Sequence, residues 1–119
     1  MSTSAMIKIK DQDETITFYR HSDGYPDCTF EDLKGFVEGY KNGTYRLNAM
    51  QSASHLVIRG HKEYKKDGIL DSMTWKVGAY EVCSIPYDNC EYSYTIDLVE
   101  ETLTCDCDEV GSYSFKKAV

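Results

Sequence analysis

Residues 5–20 read Ala5-Met6-Ile7-Lys8-Ile9-Lys10-Asp11-Gln12-Asp13-Glu14-Thr15-Ile16-Thr17-Phe18-Tyr19-Arg20. Ala5, Ile7 and Ile9 alternate with Met6 and Lys8, and Ile16 and Phe18 sit between Thr15, Thr17 and Tyr19. A period of two is the mark of a strand with one buried face. Asp11-Gln12-Asp13 between the runs is short enough for a turn. The stretch therefore predicts strands over 5–9 and 15–20 in an antiparallel hairpin, with Ile9 opposite Ile16 and Ile7 opposite Phe18.

Working outward, the loop Ser22-Asp23-Gly24-Tyr25-Pro26 leads to Thr29, which with Glu31 and Asp32 reads as a helix N-cap followed by acids in the first turn. Phe30, Leu33, Phe36, Val37 and Tyr40 keep helical spacing up to Asn42-Gly43, which predicts a helix over 30–41. Asn42-Gly43-Thr44 is also a formal glycosylation acceptor, but on a chain without an export signal it reads as a helix terminator. Gly35 and Gly39 lie inside this helix, and each costs about 1 kcal/mol relative to Ala. Their presence predicts the close approach of another backbone. A second helix is expected over 46–59, carrying Leu47, Met50, Ala53, Leu56 and Val57 and ending at Gly60. The basic run Arg59, His61, Lys62, Lys65, Lys66 then falls at its C-terminal end, where the helix dipole favours cations. Residues 61–74 are the longest irregular stretch. Beyond residue 69, short alternating runs at Tyr80 and Val82, at Tyr92 to Leu98, at Leu103 to Cys107 and at Tyr113 and Phe115 read as further strands. The sum is an α+β fold: one domain over 1–119, an antiparallel sheet of five or six strands with two helices on one face, in ββααβββ order.

The composition excludes several classes. At 119 residues and 13.6 kDa the chain has room for one core, and 41% hydrophobic with 28% charged residues argues against disorder. The formal charge of −7 opposes general nucleic-acid binding. No apolar run approaches a membrane span, and Met1-Ser2-Thr3-Ser4 does not open like a signal peptide, so a cytoplasmic protein is expected.

Five cysteines, an odd number in such a chain, argue against a disulfide framework. If residues 90–98 and 102–108 pair through Val99-Glu100-Glu101, then Cys90, Tyr92, Tyr94, Ile96 and Leu98 share a side with Leu103, Cys105 and Cys107. Core packing of Cys90, Cys105 and Cys107 is then the expected role, and no metal site is expected because paired C-x-x-C spacing is missing. Cys28 precedes a helix and is a candidate for a thiol of lowered pKa. The opposite side of the hairpin carries Glu91, Asp97, Asp106 and Asp108, which is either an acidic docking surface or a solvated face.

Residues 19–27 crowd a cation, an imidazole, acids and phenols between a strand and a helix start. Arg20 has the fork that grips a phosphate, His21 is a switchable donor, Asp23 and Gly24 shape the turn, and Tyr25 can stack. With Arg46 and Arg59 as second contributors, these residues make a candidate anion site at a helix N-terminus. The competing reading is a turn held by pairing of Asp23 with Arg20 or His21.

Tyr19-Arg20-His21-Ser22-Asp23-Gly24-Tyr25-Pro26, Asp32-Leu33 with Phe36, Asn48 and Met50 leading to Ala53 and Leu56-Val57, Gly78-Ala79-Tyr80, and Glu91-Tyr92 with Tyr94 occur in that order. In these elements the chain resembles a family of small proteins encoded by phages and prophages, over residues 16 to about 98. Cys28-Thr29-Phe30 departs from the glycine-containing turn of that pattern, and 105–119 have no counterpart. The resemblance implies a phage-infected bacterial cytoplasm, where small acidic proteins often counter host defence. The expected function is non-enzymatic sequestration of a small phosphorylated nucleotide-type signal, without cofactor, in a pocket that such a protein would often build at a homodimer seam. The alternative is an anti-CRISPR-type inhibitor whose acidic face covers a basic surface of a host defence protein. An enzyme using His21 and Asp23 with His55 or His61 lacks any catalytic motif.

Overall fold

In the computed structural model, which describes residues 3–84, 90–107 and 110–116, β1 (Ala5–Lys10) and β2 (Thr15–Arg20) form the expected hairpin. Ile9 lies opposite Ile16 and Ile7 opposite Phe18. Asp11 closes the turn: its Oδ1 accepts from the backbone of Asp13 at 2.8 Å and of Glu14 at 2.9 Å. The chain continues through α1 (Thr29–Lys41), α2 (Ala49–Lys66), α3 (Ile69–Ser72), β3 (Glu81–Cys83), β4 (Tyr92–Asp97), β5 (Thr102–Cys105) and β6 (Tyr113–Ser114). The fold is α+β, and the six strands of the described residues lie in the order β3-β2-β1-β4-β5-β6. All neighbours are antiparallel except β1 and β4, which run parallel with Ile7 beside Tyr94 and Ile9 beside Ile96.

The expected second hairpin forms with Tyr94 opposite Cys105 and Ile96 opposite Leu103. Ile7, Ile9, Phe18, Tyr94, Ile96 and Leu103 are buried beneath the helices, and Phe30, Leu33, Phe36, Val37 and Tyr40 of α1 join the same core as the helical spacing requires. Each such side chain contributes about 1.5–3 kcal/mol of burial.

Four local expectations are corrected. Cys28, not Thr29, caps α1, because Thr29 turns inward and its hydroxyl donates to the carbonyl of Asp23 at 2.6 Å. α2 starts later than residue 46, at Ala49, where Asn48 accepts from the backbone of Gln51 at 2.9 Å and Asp11 Oδ2 accepts from Ala49 N at 2.8 Å. Its buried stripe is Ala49, Ser52, Leu56, Gly60 and Tyr64, which leaves Leu47, Met50 and Val57 exposed. Small residues let the helix settle close to the sheet, and that choice of face outweighs the apolar periodicity of the exposed side. Nor does Gly60 end the helix, which runs on to Lys66 and takes up much of the stretch expected to be irregular. A Cβ at Gly60 would stand 2.7 Å from Tyr80 N, so this glycine admits the backbone of residues 79–80 against α2.

Candidate functional site

Arg20 ends β2 on the helix side of the sheet and has no exposed surface. Its Nη1 and Nη2 donate to Glu63 at 3.1 and 2.6 Å, its Nε donates to the carbonyl of Ser22 at 2.8 Å, and its guanidinium lies 5.0 Å from the Tyr80 ring centre. Burial alone would depress the guanidinium's pKa, but the hydrogen bonds and charge of Glu63, helped by Tyr80, hold it above its ordinary value. The cation expected to grip a ligand is therefore folded inward and engaged, because α2 runs past Gly60 and delivers Glu63 to it. Glu63, not Asp23, is its acidic partner.

The rest of the 20–28 loop is pinned to the same core. Gly24 N donates to Thr3 O at 2.8 Å, and the Tyr94 hydroxyl donates to Gly24 O at 2.6 Å. A Cβ at Gly24 would stand 2.8 Å from that of Ala5, so the motif's glycine serves close approach to β1. Asp23 adopts a left-handed φ of 59° and is exposed, as are His21 and Tyr25. His21 Nδ1 pairs with the Tyr19 hydroxyl at 2.9 Å. Cys28 is not a lowered thiol: burial raises its pKa more than the charge of Arg20 lowers it.

A different cleft gathers basic and aromatic groups. Gly35 and Gly39 make a notch in α1, filled by side chains, not by the backbone expected from their spacing. A Cβ at Gly35 would stand 2.8 Å from Arg59 Nη2, and one at Gly39 would overlap the Tyr45 ring. Tyr45 is anchored there by its N–H to Gly39 O at 2.8 Å and by packing against Phe36 and Tyr40. His55 stacks on its outer side, with ring centres 4.3 Å apart and planes 25° apart. Gln51, His55, Arg59 and Lys62 follow along one face of α2 at spacings that bring successive turns together. Tyr45, His55, Ile58, Arg59 and Lys62 line a cleft of about 320 Å³.

Arg59 Nε donates to Asp32 Oδ1 at 3.0 Å, and Asp32 Oδ2 accepts from the Tyr80 hydroxyl at 2.5 Å. This carboxylate orients Arg59 while the guanidinium's Nη1 and Nη2 have no hydrogen bond among the described residues. Lys62 has no ion pair among the described residues, and Arg46, ahead of α2, donates from its Nε at 2.9 Å to Oε1 of Gln51, which stands one helical turn from His55. Of the residues expected to bind a ligand, Arg59 lines this cleft and Arg46 stands near it. Arg20, His21, Asp23 and Tyr25 belong to the pinned loop. Sequence reading passed over Tyr45, saw Lys62 only in a basic run suited to a helix end, and placed His55 only among catalytic candidates. The signal was the Gly35–Gly39 pair, which marks a notch without saying what enters it.

The acidic surface is also redistributed. Asp97 lies on the side of the sheet away from the helices, but β1 places Lys8 and Lys10 on the same side, and Lys10 Nζ is 3.4 Å from Asp97 Oδ2. Asp97 also accepts from Val99 N and Glu100 N, so it serves as a turn cap, and Asp106 accepts from Ser93 N at 2.9 Å. Glu91 is exposed just ahead of β4, and Asp108 lies outside the described residues. Negative charge gathers instead at the end of the sheet where the β1–β2 and β4–β5 turns meet. There Asp11, Asp13 and Glu101 line a cleft of about 340 Å³ with Leu47, Asn48, Leu98 and Val99. His21, His55 and His61 stand in separate surroundings: a tyrosine pair, the aromatic cleft and the turn near Gly78. Among the described residues no group of three or more His, Cys, Asp or Glu is placed to hold a metal, and no helix is long and apolar enough to cross a membrane. No family model matches the chain, and neither a curated protein nor a solved structure matches it.

Proposed function

We propose that this chain is a non-enzymatic counter-defence protein that binds and sequesters a small phosphorylated nucleotide-type signal, and that it does so in the cleft between Tyr45 and α2. One observation carries the reading: the stacked Tyr45–His55 plate stands beside Arg59 and Lys62 in a cleft of about 320 Å³. An aromatic plate accepts a base whatever its edge, at about 1–3 kcal/mol per stacked base. The Arg59 guanidinium, whose side chain keeps 35% of its surface, suits a phosphate oxygen, and Lys62 adds a point charge. A chain of net charge −7 can hold an anion there because Arg46, Arg59 and Lys62 outnumber the local carboxylate, Asp32.

Calorimetric titration with cyclic mononucleotides, cyclic dinucleotides and ADP-ribose tests this. Binding is expected for at least one of them. Lys62→Ala, which removes an exposed side chain, should weaken it about fivefold, the worth of about 1 kcal/mol at a partly screened contact. Absence of heat with every one of these compounds would dismiss the proposal.

The acidic end of the sheet favours a second reading, an inhibitor that covers a basic surface of a host defence protein. Its cleft combines carboxylates with the exposed apolar side chains of Leu47 and Val99, a mixture suited to a basic protein surface. Capture of a host protein that is lost on Asp13→Lys with Glu101→Lys, but kept on Lys62→Ala, would favour this reading over the first.

A further inference from the structure

Cys105 and Cys107 lie outside both clefts. Side chains two residues apart on an extended segment share a face, and the bend that follows β5 draws these two together. Cys105 Sγ is 2.9 Å from Cys107 Sγ, and Cys107 N donates to Cys105 Sγ at 3.4 Å. Among the described residues they are the only two thiols in such contact, and both are half-buried, within reach of a small reagent. A disulfide is about 2.05 Å long, so a sub-ångström shift of two side chains would close one.

We propose that Cys105 and Cys107 are a redox pair that closes to an intramolecular disulfide by exchange with a low-molecular-weight disulfide of the glutathione class. The Cys105 S–H donates to Cys107 Sγ, which leaves Cys107 as the attacking sulfur. Cys107 gives its proton to water and attacks one donor sulfur; the donor S–S bond breaks, and the first donor thiolate leaves and takes up a proton. Cys105 then gives up its proton, with the Asp106 carboxylate 3.7 Å away, and attacks Cys107 Sγ in the mixed disulfide. The second donor thiolate leaves and is protonated in turn. Two protein thiols lose two electrons, and one donor disulfide becomes two thiols. Burial, reinforced by the hydrogen bond to Cys107, pushes the Cys105 thiol up to about 12. At neutral pH it waits as a thiol and acts as the resolving partner. Tyr94, which faces Cys105 across the ladder and holds Gly24 through its hydroxyl, is the first neighbour to sense closure.

The test incubates the full chain in glutathione buffers of graded oxidised-to-reduced ratio, quenches with N-ethylmaleimide and weighs the protein. The expected product lacks two of the alkyl groups of the reduced chain, is about 2 Da lighter apart from those groups, and retains no glutathione. A protease that cuts before aspartate severs the Cys105–Asp106 bond, and the two pieces should stay joined until a reductant is added. The equilibrium constant for closure should exceed that in urea-unfolded chain by about tenfold or more, which separates a built pair from the bare Cys-Asp-Cys sequence. Cys105→Ser should keep a glutathione adduct on Cys107, the attacking sulfur, whereas Cys107→Ser should leave Cys105 reduced. Wild-type chain that stays reduced at the most oxidising ratio, keeps glutathione at these positions, links other cysteines, or closes no better folded than unfolded would overturn the proposal.

Discussion

Replacing Glu63 by Ala should destabilise this protein more than replacing its partner Arg20 by Met. Arg20 has no exposed side-chain surface, whereas Glu63 keeps 26% of its own. Without Glu63, the guanidinium retains the Ser22 carbonyl, the Tyr80 ring and a long contact from Nη2 to Cys28 Sγ at 3.8 Å, so buried Nη1 loses its acceptor and Nη2 its close one. Breaking a buried pair in this way costs about 3–5 kcal/mol, and the partial exposure of Glu63 places this case near about 3. Met in place of Arg20 removes the buried charge and fills similar volume, while the freed carboxylate can turn to water. The remaining loss is the anchor on Ser22 and the contact with Tyr80, about 1–2 kcal/mol. At about 4 °C per kcal/mol for a chain of this length, Glu63→Ala should lower Tm by about 12 °C and Arg20→Met by about 4–8 °C. Thermal and urea unfolding followed by circular dichroism measure both, and an unchanged urea slope verifies that the denatured state is the same. A larger loss for Arg20→Met than for Glu63→Ala, or a loss below about 1 kcal/mol for Glu63→Ala, would refute the assignment of Arg20 as an inward pin.

Three further outcomes are expected. Gly35→Ala should be neutral or gain up to about 1 kcal/mol of helix propensity, since its new methyl meets only the mobile tip of Arg59. Gly39→Ala should instead expel the Tyr45 ring from the notch, costing stability despite the same gain and disturbing the proposed ligand cleft, as melts and tyrosine ring signals in NMR would register. Asp11 and Asp97 both have carboxyl pKa values held below the ordinary one, Asp11 by the N–H groups of Ala49, Asp13 and Glu14, and Asp97 by those of Glu100 and Val99 with Lys10, against a desolvation that pulls the other way. A depressed folded-state pKa means stability that is present above the unfolded carboxylate value near about 3.9 and lost as pH falls through the folded value. Urea midpoints should therefore fall as pH drops below about 4, and Asp11→Asn with Asp97→Asn should flatten that slope; an unaltered slope would contradict the capping roles.

Legibility in the sequence followed the range of the interactions. The first hairpin was readable down to register and the second down to which residues share a side, because period-two alternation and a short turn specify which residues face one another. The buried face of α1 was readable for the same reason, whereas that of α2 was not. Met50 and Val57 fit an apolar helical stripe as well as Leu56 does, and the face that packs is the one with Ala49, Ser52 and Gly60. The candidate site was legible only in fragments. Arg20 and His21 look alike as loop residues beside a helix start, yet one meets Glu63, forty-three positions away, and the other stays exposed on Tyr19. Gly35 and Gly39 announced a notch; Tyr45 and Arg59 as its occupants depended on how α2 crosses α1.

Alternation, helical spacing and turn chemistry, all local along the chain, were enough to determine the α+β class, the two hairpins and the first helix. Tertiary structure decided the parallel seam between β1 and β4, which sets Lys10 against Asp97 and dilutes the acidity expected of that side of the sheet. It also decided which cation is buried and which faces outward. Charge type is written in each residue, but the dielectric, the partners and the free volume around it come from segments far away in the chain.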